Sequence, residues 1–142
     1  MIRVVNSAFA VETFLEGTRT DAERIAEMLG KGEFLVAESP GPQLVACVFT
    51  QSRGDRGYLG MLAVDPSAQG RGIGRAMVGA AEAHCRRAGC LRMELSVLSL
   101  RPELLPFYKR LGYVETGREE FVPSRPLKAG IECHKILMSK SL

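Results

Sequence analysis

The stretch VDPSAQGRGIGRAM, Val64 to Met77, sets Gly70, Gly72 and Gly74 at alternate positions beside Arg71 and Arg75. An apolar helical pattern follows at once, so the glycines stand just ahead of a helix start. Glycine allows backbone angles that residues with a β-carbon resist. The first N–H groups of a helix have no partner within it, and its dipole is positive at that end. A loop of this kind can turn several N–H groups on one phosphate, with the arginines adding charge at its rim. The plainer alternative is a tight turn with two solvated arginines. Two known phosphate loops do not fit: no Lys-Ser or Lys-Thr follows the glycines, and G-x-G-x-x-G meets Arg75 or Met77 where its third glycine belongs.

Other reactive side chains offer less. His134, in GIECHKILM, is a proton carrier by type and shares a strand face with Glu132. A structural histidine reads equally from the same residues. His84, Arg86 and Arg87 close the helix that follows the glycine loop, where their charge suits its C-terminal dipole. Cys47, Cys85, Cys90 and Cys133 form no C-x-x-C pair, and two histidines complete no ligand set, so reduced thiols and no metal are expected.

Positioning the loop requires a frame, and the chain supplies one by alternation. Residues 2–15 lean to a helix, although IRVV alone would suit a strand. AERIAEML is a short helix after Thr20 or Asp21 and before Gly30. EFLVAES and LVACVFTQS form a hairpin across PGPQ. YLGMLAV is apolar enough to lie centrally. After DPSAQGRG a helix runs from Ile73 to about Ala88 and stops at Gly89. LRMELSVL is a strand, LLPFYKRL a helix stopped by Gly112, and YVETGREEF and GIECHKILMS are strands around the irregular VPSRPLKA. One α/β (α+β) domain over residues 1–142 is expected, a mixed sheet with helices on its faces.

Composition narrows the class. A chain of 142 residues, 46% hydrophobic and 25% charged, is ordinary for a globular domain. A net charge of +3 is too small to argue for nucleic acid. No apolar run spans a bilayer, and the opening residues lack a signal-peptide layout, so a cytoplasmic protein without nucleic-acid or membrane partners is expected.

The spacing Gln69-x-x-Gly72-x-Gly74 resembles the Q/R-x-x-G-x-G/A pyrophosphate motif of the GNAT superfamily of acyl-CoA-dependent N-acyltransferases. The element order from about Glu33 to Gly117 is similar as well, ending on FYKRLGY. That family opens with a strand before its first helix. Here residues 2–15 look like the first helix, which leaves the opening strand absent or reduced.

The resemblance implies a splayed sheet in which the strand of Leu62, Ala63 and Val64 pairs its backbone with a pantetheine arm. Amides of Leu62 and Ala63 would polarise the thioester carbonyl. The loop of Gln69, Gly70, Arg71, Gly72, Ile73 and Gly74 would hold the coenzyme A pyrophosphate, with Arg75 near other phosphates. Tyr108 matches the tyrosine that protonates the leaving thiolate; by itself it reads as a core aromatic. Arg101 stands where many members have a pantetheine-contacting asparagine. Ser96 replaces a glutamate base found in some relatives, and Glu94 lies on the same face roughly 6–7 Å along the strand.

The activity implied is acetyl transfer from acetyl-CoA to a primary amine by direct attack, the proton leaving through water, Glu94 or His134. A non-catalytic acyl-CoA sensor and a nucleotide-binding module are the rivals. The acceptor is a small molecule, a peptide N-terminus or a lysine side chain, chosen by residues 9–28 and the last hairpin. Glu12, Glu16, Asp21, Glu23, Glu27, Glu119 and Glu120 are acids that could draw a cationic amine there or simply face solvent. A homodimer is the assembly common in that family.

Overall fold

A computed structural model of the chain describes residues 1–11, 20–41, 43–121, 128 and 130–142. In chain order the elements are α1 (Ile2–Ala8, extended by a 3-10 turn), α2 (Ala22–Leu29), β1 (Glu33–Ser39), β2 (Gln43–Arg53), β3 (Arg56–Val64), α3 (Ile73–Arg87), β4 (Arg92–Leu98), α4 (Leu104–Arg110), β5 (Val114–Glu120) and β6 (His134–Ser141). The far end of the expected first helix, Glu12, Glu16, the loop up to Arg19, Pro42 of the hairpin turn and most of VPSRPLKA lie outside the described residues.

Six strands make one sheet in the order β1-β2-β3-β4-β6-β5. Only β3 and β4 run parallel, and α3 supplies the crossover that a parallel pair requires. The architecture is the mixed α+β sheet expected. The structure begins on a helix at Ile2, as the pattern of residues 2–15 predicts. The last strand is shorter than predicted: it starts at His134, so Gly130 to Cys133 of GIECHKILMS are not strand.

Helix ends follow local chemistry. Asp21 caps α2 by accepting from the Arg24 N–H at 2.8 Å. At the end of α3, Gly89 takes φ +94°, and the Cys90 N–H returns to the Cys85 carbonyl at 3.0 Å. That left-handed step is why a glycine stands there.

Each face of the sheet has its own core. On one, Met77, Val78, Ala81 and Cys85 of α3 pack with Val48, Leu59, Met93, Leu95, Val97 and Met138. On the other, Val4 and Val5 of α1 and Ile25 of α2 pack with Cys47, Phe49, Met61 and Ala63. Helices α1 and α2 therefore pack mainly on β1, β2 and β3. The same face of β4, β6 and β5 is left as a groove of about 470 Å³, with Glu94, Ser96, Thr116 and Leu137 in its lining.

Two polar groups bind distant elements. Glu82 of α3 is buried; it accepts from Tyr113 Oη at 2.8 Å and from Lys140 Nζ at 3.0 and 3.1 Å. Asp65, just past β3, accepts from the Arg3 guanidinium of α1 and from the Ser67 N–H and Oγ. These contacts hold its carboxyl down at about 2. The four cysteines are free thiols, and three of them are buried. Among the described residues no helix is long and apolar enough to cross a membrane.

Candidate functional site

The parallel ladder between β3 and β4 contains only Arg56↔Arg92, Gly57↔Met93 and Tyr58↔Glu94. Beyond Tyr58 the strands part. A cleft of about 780 Å³ opens between them and reaches from the glycine loop to the α1 side of the sheet.

A bulge aims the parted strand. The β2–β3 register slips between Cys47 and Phe49, and Met61 opposite the slip takes φ +49°, the one positive φ at a non-glycine among the described residues. Its effect appears in the packing. Leu59 faces the α3 core, yet Met61 and Ala63 face the α1 core, while Leu62 and Val64 pack toward α3 and line the cleft. Alternation alone would keep residues 59, 61 and 63 on one face. Ala63 is buried in the α1 core, so only its backbone is available to a ligand. The bulge escaped the sequence reading. Gly60 was the available sign, since an isolated glycine in a strand often marks one. The Tyr58 ring lies across Gly60, and a β-carbon there would meet the tyrosine Oη at 2.9 Å.

At the mouth of the cleft the loop has the predicted form, with one correction. Gly70 and Gly72 adopt φ +81° and +76°, but Gly74 sits in the first turn of α3 and uses no such freedom. An added β-carbon at Gly74 would lie 3.6 Å from the Phe107 ring and 3.8 Å from Val64, which is ordinary contact. Gly72 caps α3 without any side-chain bond, so the first-turn amides of the helix stay available. The Gln69 Nε2 donates to the Val64 carbonyl at 3.1 Å and ties the loop to the end of β3. Gln69, Gly70, Gly72, Ile73 and Gly74 all line the cleft. Arg71 and Arg75 are exposed at its rim, outside the lining.

Deeper in, Tyr108 of α4 lines the cleft at 7% exposure. Its ring is wedged between Phe107 and Tyr113, with centroids at 4.9 and 5.8 Å. Burial first, then the nearby Tyr58, raises its pKa far above the ordinary phenol value. The hydroxyl is therefore a proton donor, never an anion, at any physiological pH. Arg101 also lines the cleft, beside the Phe9 ring at 5.9 Å, with its Nε 2.7 Å from Glu103.

The other two sequence candidates lie apart. Glu94 pairs with Arg56 at 3.6 Å and lines the neighbouring groove rather than the cleft. His134 begins β6, its N–H bonded to Ser99 Oγ at 3.0 Å, and it lines neither cavity. The cleft lining among the described residues contains no carboxylate and no histidine, but three cations: Arg24, Arg101 and Lys135. Of these the sequence reading named only Arg101. Arg24, Tyr58, Leu95, Ser96 and Lys135 line cleft and groove alike, so the two adjoin.

Known proteins are similar to this chain. Among curated relatives, glucosamine 6-phosphate N-acetyltransferase 1 of Oryza sativa subsp. japonica is 32% identical over 108 residues, 70% of this chain and 64% of the relative. Mycothiol acetyltransferase of Gordonia bronchialis is 32% identical over 121 residues, 80% of this chain and 39% of the relative. The chain thus spans under two thirds of the length of each. Among solved structures, the ribosomal-protein-S18-alanine N-acetyltransferase of Escherichia coli aligns with a TM-score of 0.75 at 21% identity, covering 96% of this chain and 86% of that one. A GNAT family acetyltransferase from Elizabethkingia anophelis with acetyl-CoA bound gives 0.74 at 19%, covering 86% and 84%. A family model described as the acetyltransferase (GNAT) family matches residues 4–113. With that match running from α1 to Tyr113, across the glycine loop, the parted strands and Tyr108, the chain belongs to the acetyltransferase (GNAT) family.

Proposed function

We propose that this chain transfers an acetyl group from acetyl-CoA to a primary amine. The observation that carries the reading is the early end of the β3–β4 ladder, which leaves a strand edge open inside the sheet with a glycine-started helix and a buried tyrosine both in the lining of the cleft. The residues fit coenzyme A. Gly70 and Gly72 have no atom within 4 Å of where a β-carbon would stand, so a pyrophosphate has room against the loop amides. The β4-facing backbone of Leu62, Ala63 and Val64 suits a pantetheine arm added like a strand. The apolar walls, Ile73, Leu104 and Phe107, exclude water from the arm.

Bound there, acetyl-CoA supplies an activated acyl group as a thioester. The amides beyond the Met61 bulge are the donors placed to stabilise negative charge on the acyl oxygen. Tyr108 holds a proton for the departing sulfur, and its burial keeps that proton on until sulfur charge develops. With no carboxylate or histidine in the described lining, the ammonium proton leaves through water, with Glu94 the acid nearest the parted strands. Holding both reactants in one space supplies much of the acceleration without a covalent enzyme intermediate. Cys47, Cys85 and Cys90 are buried, and none of the four cysteines lines the cleft. The relatives named for glucosamine 6-phosphate favour a small-molecule acceptor.

Thermal shift against acetyl-CoA, ATP and NAD, with release of free coenzyme A across an amine panel, tests this. Acetyl-CoA alone is expected to stabilise, and at least one amine to release thiol. Stabilisation by ATP or NAD without acetyl-CoA would sink the reading in favour of a nucleotide module. Binding without any turnover would favour the sensor.

A further inference from the structure

Where the cleft adjoins the groove, the residues that line both include two cations and no acid. Arg24 of α2 and Lys135 of β6 line both spaces and are half-buried at their junction. The Arg24 Nε is shielded from solvent and has no hydrogen-bond partner among the described residues. Among the described residues its charge contact is a loose one, Glu27 at 3.6 Å. Lys135 stands opposite Glu119 in the β5–β6 ladder without closing an ion pair to it. The groove as a whole carries five cationic side chains against three carboxylates among its described lining residues, and one of those carboxylates, Glu94, is already paired with Arg56.

A half-buried guanidinium with a shielded, unused N–H is costly unless something accepts from it. Two cations facing one space favour an anion between them, and an arginine with a lysine suits a phosphate or a carboxylate oxygen. In the acetyl-transfer reading the cofactor does not meet this need, because its pyrophosphate belongs to the glycine loop, which lines the cleft and not the groove. The same two charges disfavour a protonated amine at the junction, so they also favour the neutral nucleophile.

We infer that the acceptor amine carries an anionic group, a phosphate or a carboxylate, held by Arg24 and Lys135 on the α2 side of the parted strands. This rests on the acetyl-transfer reading above. The test uses matched small amines with acetyl-CoA saturating: O-phosphoethanolamine against ethanolamine, and β-alanine against β-alaninamide. The anionic member of at least one pair is expected to show about tenfold or higher kcat/KM, the difference lying in KM (a tenfold ratio is about 1.4 kcal/mol). Which pair shows it distinguishes a phosphomonoester from a carboxylate acceptor. Lys135→Met and Arg24→Met should each collapse that ratio at least fivefold, while acetyl-CoA affinity by calorimetry stays unchanged. If none of the four turns over, the same compounds are scored by the thermal shift of the coenzyme A complex, where only the anionic members should stabilise. Equal behaviour of paired compounds in both assays, or a preference indifferent to both variants, overturns the inference and leaves acetyl transfer standing. Failure to bind acetyl-CoA would instead overturn the acetyl-transfer reading itself.

Discussion

The two halves of the sheet are built differently. β1, β2 and β3 are covered on both faces, by α1 and α2 on one side and α3 on the other, and five consecutive residues of β2, Ala46 to Thr50, are buried. β4 and β6 are covered on one face only, and all seven residues of the edge strand β5 are exposed. The seam between the halves is where the ladder ends after three residue pairs. A sheet covered everywhere would have had no way in from the α2 side. Burial is concentrated in the first half while the second stays open, and in the proposed reaction the groups meet where the two part.

Several measurements would break or sharpen that contrast. The largest expected difference is in amide exchange: β2 amides should exchange about a thousandfold more slowly than those of β5, as core strands do relative to exposed edges. Comparable protection in the two strands would show the halves to be equally stable. Next is the tie that braces the open half from behind. Glu82→Ala leaves Lys140 and Tyr113 without their acceptor and should cost about 3 kcal/mol in urea unfolding. Glu82→Gln should recover part of that loss, and a cost below about 0.5 kcal/mol for the alanine would mean the tie is slack. At the seam, Tyr108→Phe should keep the fold and lower kcat about a hundredfold or more. Turnover unchanged across the pH range would remove the tyrosine from the acid role.

Smaller effects belong to the loop. Gly72→Ala adds a β-carbon at φ +76° and should cost about 1 kcal/mol. Nothing lies within 4 Å of that position, so the penalty is backbone strain, and acetyl-CoA affinity should fall with it. Smallest is the acid limb of stability. The Asp65 carboxyl sits at about 2, below its usual 3.8. Its contribution is therefore full above about pH 4 and is lost as pH falls through about 2. Arg3→Ala should move that loss to higher pH. An acid-unfolding profile identical to that of the unaltered chain would show the contact to be idle.

What could be read in advance was what neighbours in sequence decide. The glycine loop, the α3 stop at Gly89 and the hairpin of β1 and β2 all depend on residues within a few positions of each other. What stayed hidden depends on distant partners. Arg3 meets Asp65 across 62 positions, and Glu82 meets Lys140 across 58. The turn of β3 at Met61 needs the mismatch with β2, which no single strand displays. Lys135 carries no signal of its own in the sequence, and only the order β4-β6 brings it beside the parted strands. Glu94 was on the expected strand face, but the pairing with Arg56 and the ladder end decide that it looks into the groove. His134 showed its residue type and not its place, which proved to be the first residue of a strand.

Both outer strands of this sheet interrupt themselves. β1 slips register between Ala37 and Glu38, and β5 between Glu115 and Gly117 in a stretch rich in charge, VETGREE. Irregular, charged margins of this kind resist growth by strand addition, the route that leads from open sheets to aggregates and fibrils. The chain can thus keep half a sheet face bare without also offering a template to its own copies, and an oligomer formed in solution would be expected to meet through faces or helices rather than edge to edge.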